Sequence, residues 1–140
     1  MHYALVFGLL LPFVVRMNES LARVIGQLPA SFAVHAVGAV FGLLVFLPLS
    51  SPQWWNNARA VPWWAWLGGV VGSGMVVLAN RAVGVLGIAS FTALTVAIQL
   101  VSSAAIDHFG WVGSPVHPMS WMRVGGIVLL ALGATMVVRG

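Results

Sequence analysis

The 140-residue chain contains no cysteine, no lysine and only two acidic residues, Glu19 and Asp107. Without cysteine there is no disulfide framework, no thiolate nucleophile and no Cys-type metal site. Charged residues make up 6% of the chain, against roughly a quarter in an average globular domain. That shortage excludes an ordinary soluble domain, a disordered tail and a nucleic-acid module. Six arginines supply the formal charge of +4, but arginines scattered through an apolar chain are no phosphate-binding patch.

What is present is apolar. Hydrophobic residues reach 61%, with a mean hydropathy of +1.03. The apolar runs are continuous rather than alternating with period two, so the chain reads as membrane helices and not as barrel strands. At about 20 residues per span there is room for four or five helices. Five emerge, at about 3–24, 30–47, 62–83, 87–107 and 120–138, forming a single transmembrane domain over 1–140. The first run lacks a basic leader and a small-x-small cleavage site before Arg16, so it reads as a span and not a signal peptide. It is purely apolar only to Val15, and 13 residues rise about 20 Å, less than the hydrocarbon core. To cross, it must carry Arg16, Asn18, Glu19 and Ser20 into the far half of the bilayer. Gly84 and Gly87 are expected to bracket a tight reversal between the third and fourth helices.

With five spans, all seven tryptophans and Tyr3 fall on the side that holds the N-terminus. Indole rings settle at headgroup level, so that side carries the aromatic belt. Arg23, Arg81 and Arg139 fall on the opposite side, against Arg59 and Arg123 on the first. The excess points to an outside N-terminus and a cytoplasmic C-terminus.

Ionisable groups within a span mark functional candidates. Arg16, Glu19, Ser20 and Arg23 recur at i, i+3, i+4 and i+7 and share one helix face. Either they form an internal ion-pair ladder with snorkelling arginines, or Glu19 is a cavity carboxylate coupled to substrate. Asn18 points to nearly the opposite face and needs a partner on another helix. In the fourth helix Thr92, Gln99 and Ser103 form a stripe flanked by Thr95 and Asp107. Gln99 at mid-membrane serves as interhelical glue or as a substrate-facing amide. Asp107 sits where the helix dipole disfavours an anion, so it pairs, with Arg123 the obvious candidate, or it titrates. His35 reads first as a hydrogen-bonded histidine and second as a proton relay. Asn80 and Ser73 share a face of the third helix. Gly68 and Gly72, and Gly126 and Gly133, are the packing glycines. No cofactor or metal is expected, since two histidines and one aspartate in a loop make a poor site. No HExxH, phosphate loop or Ser-His-Asp arrangement supports an enzyme.

Several stretches carry a family likeness. Asn18–Glu19–Ser20–Leu21–Ala22–Arg23 resembles the N-x-x-L-x-R segment of the YdcZ-like branch of the drug/metabolite transporter superfamily. Trp66–Leu67–Gly68–Gly69–Val70–Val71–Gly72 resembles that branch's third-helix entry. Gln99 to Ser103 running into Asp107–His108–Phe109–Gly110 resembles its fourth-helix signature. The resemblance implies a bacterial inner-membrane bundle equal to one repeat of the ten-helix transporters, which contain two repeats in inverted topology. It further implies antiparallel pairing, with itself or with a sister protein, since an odd span count recreates the inverted repeat. Gly126 and Gly133 also resemble the glycine heptad of small multidrug resistance dimers, although those proteins have four helices and a carboxylate centred in the first. The expected function is a secondary transporter of small organic or amphipathic metabolites. It would be proton-coupled through Glu19 or Asp107, with Asn18, Glu19, Gln99 and Ser103 on the substrate. A structural subunit of a membrane complex and a passive dimeric channel are the alternatives.

Overall fold

The computed structural model describes residues 2–140. Five helices are long and apolar enough to cross a membrane: α1 (His2–Ile25), α2 (Gln27–Leu49), α3 (Trp63–Leu86), α4 (Ile88–Phe109) and α5 (Trp121–Arg139). No strand occurs among the described residues, and the fold is an all-α membrane protein of five spans.

Glycine and proline chemistry places the breaks. Gly26, at φ +91°, ends α1, and its N–H closes the last turn onto the Ala22 carbonyl at 3.0 Å. Because Gly26 alone makes the break, α2 restarts at Gln27, three residues before the expected start at 30. Near its far end α2 widens into a π-helical stretch over Gly42–Phe46 before Pro48. Pro48 has no N–H for the Leu44 carbonyl and its ring crowds that group; a wider turn relieves the crowding. The same widening sets Phe41 and Phe46, five residues apart, edge to face at 5.3 Å.

Trp54–Ala58 forms a short helical turn in the following loop. Pro62 is extended rather than helical, and α3 opens as a 3₁₀ turn over Trp63–Trp66. The helix then runs through Gly84 to Leu86. The break between α3 and α4 falls at Gly87 alone, at φ +77°, not at a Gly84–Gly87 pair. Gly110 in the left-handed conformation caps α4, and the Ser120 hydroxyl caps α5 by accepting from the Arg123 N–H at 3.3 Å.

The chain divides into two compact units, Met1–Gly84 and Val85–Gly140. In the first, α1 packs on α2, and Ser31 of α2 bonds to α3. In the second, α4 packs on α5. The apolar residues buried among those described are Ala22, Ala30, Val83, Ala97, Ala104 and Ala134, while Leu, Phe, Trp and Met side chains face outward. This inverts the pattern of a water-soluble core. Lipid solvates large apolar side chains, so helices meet on small ones that let backbones approach.

Candidate functional site

The first unit buries three polar side chains, Glu19, Ser31 and Asn80. Glu19 is 2% exposed. Both its oxygens are engaged: Arg16 Nη1 donates to Oε2 and Arg23 Nε to Oε1. The predicted ladder of Arg16, Glu19 and Arg23, at i, i+3 and i+7, is therefore formed, and two guanidinium groups around one carboxylate leave the cluster a net +1. Across from it stands Gly84 of α3, where a Cβ would lie 3.8 Å from Glu19 Oε1. Asn80, one turn earlier on α3, is 1% exposed, and neither its amide oxygen nor its amide nitrogen has a hydrogen-bond partner. A buried amide left unsatisfied carries a desolvation cost of about 1–3 kcal/mol.

Asn18 faces away from this cluster, as expected. It lines a cleft of about 510 Å³ whose walls include Leu21 of α1 and Val34 and Val37 of α2. Between α2 and α3 a second cavity, of about 360 Å³, is lined by Ser31, His35, Ser73 and Gly74. Ser31 donates to the Ser73 carbonyl at 2.8 Å. His35 Nδ1 lies 2.7 Å from the Ser31 carbonyl. A carbonyl only accepts, so Nδ1 carries the proton and Nε2 is left for another partner.

In the second unit a cavity of about 350 Å³ lies between α4 and α5, lined by Ser103, Asp107, Arg123, Gly126 and apolar Leu100 and Ile127. Asp107 and Arg123 do not pair: no ion pair joins them among the described residues. Each is held by the intervening loop instead. Ser114 Oγ donates to Asp107 Oδ1 at 3.0 Å, and the His117 N–H donates to the Asp107 carbonyl at 2.8 Å. Arg123 Nη1 reaches the His117 carbonyl at 3.5 Å. The loop is tightly wound to do this, with left-handed backbone at Gly110, Val112 and Gly113.

Gln99 does not line this cavity; it is exposed and has no hydrogen-bond partner among the described residues. Thr95 bonds back to the Phe91 carbonyl at 2.8 Å, the inexpensive solution open to threonine in a helix. At Gly68, Gly72, Gly126 and Gly133 an added Cβ would meet nothing within 4 Å. None of the four would bring a Cβ into contact with a neighbouring helix among the described residues, whereas one at Gly84 would come to ordinary contact distance of Glu19. Sequence reasoning missed Gly84, read as a turn, and Ser114, whose spacing of seven from Asp107 signals nothing outside a helix.

The chain's residues 1–136 match the family model described as "Putative inner membrane exporter, YdcZ". No curated protein and no solved structure matches. That description is of an exporter, which is not an enzyme class, and with the five apolar helices it makes this a multi-pass inner-membrane protein. The chain belongs to the YdcZ-like branch of the drug/metabolite transporter superfamily.

Proposed function

We propose that the protein is a proton-coupled secondary exporter of small organic or amphipathic metabolites, working as an antiparallel dimer, with Asp107 as the coupling carboxylate. The observation that carries this reading is the contrast between its two acidic residues. Glu19 has both oxygens taken by arginines, so a proton or a cargo group would first have to displace a guanidinium. Asp107 faces a cavity with Oδ2 unoccupied among the described residues. A carboxylate that proton and cargo can occupy in turn is the simplest exchanger, because each must leave before the other binds. Glu19 then serves as an electrostatic anchor that holds Arg16 and Arg23 within the helix.

Antiparallel pairing is supported by the odd number of spans, which makes two oppositely inserted copies an inverted repeat. It is supported also by what each copy leaves uncovered: an unpartnered Gln99 amide, and Gly68, Gly72 and Gly133 with open space above them. A mid-span amide in lipid is costly until another helix satisfies it.

Proteoliposomes loaded with a bacterial metabolite extract test the reading. An inward proton gradient should drive efflux of a subset of metabolites, read by mass spectrometry, and Asp107→Asn should abolish the gradient-driven part. Glu19→Gln, if folded, should keep it. Equal efflux with and without the gradient would replace the exchanger with a passive channel.

A further inference from the structure

We infer that the cavity between α4 and α5 binds a zwitterion, its ammonium on Asp107 and its carboxylate or phosphate on Arg123. The inference deepens the proposal above and rests on its reading of Asp107 as a working carboxylate. Opposite charges lining one cavity attract each other and would ordinarily close into a pair. Here they are kept apart. The Ser114 hydroxyl holds the Asp107 carboxylate, and the His117 N–H holds that residue's backbone, while the His117 carbonyl takes the guanidinium. The same loop segment thus restrains both partners, and its left-handed Val112 marks backbone strain, which a β-branched residue adopts only when its surroundings impose it.

The groups left over define the ligand. Asp107 Oδ2 is an anionic acceptor, and most of the Arg123 N–H donors are unused among the described residues. Ser103 adds a hydroxyl to the same wall, and Leu100 and Ile127 make the rest apolar. A ligand with one cationic and one anionic end satisfies both, whereas a singly charged ligand leaves one protein charge unanswered. The volume, about 350 Å³, lies at the small end of ligand pockets. It suits a free amphiphilic zwitterion of amino-acid size or the headgroup of an ethanolamine phospholipid, which share this chemistry.

Binding is tested on the purified full-length protein apart from flux. In maltoside detergent, calorimetric titration should show leucine binding at least tenfold more tightly than leucinamide or 4-methylpentanoate, each of which lacks one charge. Asp107→Asn should lose the preference for leucine over 4-methylpentanoate, and Arg123→Gln the preference over leucinamide. This crossed pattern cannot come from misfolding, which would weaken all three ligands together. If leucine is not distinguished, native mass spectrometry from nanodiscs should show phosphatidylethanolamine retained over phosphatidylglycerol by the native protein and by neither variant. That result keeps the inference and identifies a lipid headgroup as the occupant. Loss of charge selectivity in both arms overturns it. Selective binding without efflux leaves the inference standing and overturns the exporter mechanism instead.

Discussion

Ser31 donates its hydroxyl hydrogen to the backbone carbonyl of Ser73, 2.8 Å away and 42 residues along the chain. The bond joins α2 to α3 where the first unit is otherwise held by small side chains, and Ser31 is 5% exposed. Ser31→Ala should cost about 0.5–1.5 kcal/mol, as measured for interhelical hydrogen bonds in membranes. Unfolding in bicelles with increasing dodecyl sulfate reads this directly. A variant as stable as the native chain would show that the bond contributes nothing.

Glu19→Gln should destabilise the protein, because it leaves two guanidinium groups without their counter-ion, and removing one partner of a buried ion pair costs about 3–5 kcal/mol. The lower part of that range is expected, since Arg16 and Arg23 are 48% and 60% exposed and can turn toward headgroups and water. Replacing Arg16, Glu19 and Arg23 together by leucine should recover most of the loss. The same denaturation assay checks both variants, and a triple variant weaker than Glu19→Gln would contradict the argument.

The α4–α5 loop contains two left-handed positions of opposite character. At Gly110, φ is +65° and an added Cβ would lie 2.8 Å from Val116 Cγ2, so Gly110→Ala should cost at least about 1–2 kcal/mol. At Val112, φ is +57° on a β-branched residue, so Val112→Gly should stabilise the loop or leave stability unchanged, as relieved strain offsets the added chain entropy. Thermal denaturation should show a loss for Gly110→Ala and none for Val112→Gly. A loss on Val112→Gly as large as that on Gly110→Ala would rule out strain at Val112.

Gly68→Leu, Gly72→Leu and Gly133→Leu should leave protomer stability within about 0.5 kcal/mol of native, because the space above each glycine is open. If these faces dock a second copy, the dimer fraction in a fluorescence energy-transfer assay should fall at least tenfold. Cross-linking of single cysteines placed at the two termini then reports orientation. Head-to-head cross-links alone would exclude the antiparallel arrangement.

Much of the candidate site could be read from the chain before folding, and its limits follow from geometry. Arg16, Glu19 and Arg23 were legible because all three lie on one helix, where spacings of three and four residues bring side chains together regardless of the neighbours. Asp107 and Arg123 lie on different helices, and nearness in sequence proved a poor guide. A short connecting loop can answer each charge with its own backbone and hydroxyl groups, as Ser114 and His117 do. Gly84 was misread because glycine signals a turn in a soluble chain, whereas here the helix runs through it and it faces the Glu19 carboxylate.

Membrane class, the five spans and the family were legible in the unfolded chain, since each depends on composition, run length or local motif. So was the ladder on α1, through helical periodicity. Which faces meet depended on the folded chain: Gly84 and Asn80 on the Glu19 side, Ser31 on Ser73, and Asp107 and Arg123 unpaired in the lining of one cavity. The reason is physical. Lipid solvates every large apolar side chain alike, so hydropathy cannot choose a helix's rotation, and only a few small and polar contacts within each unit can.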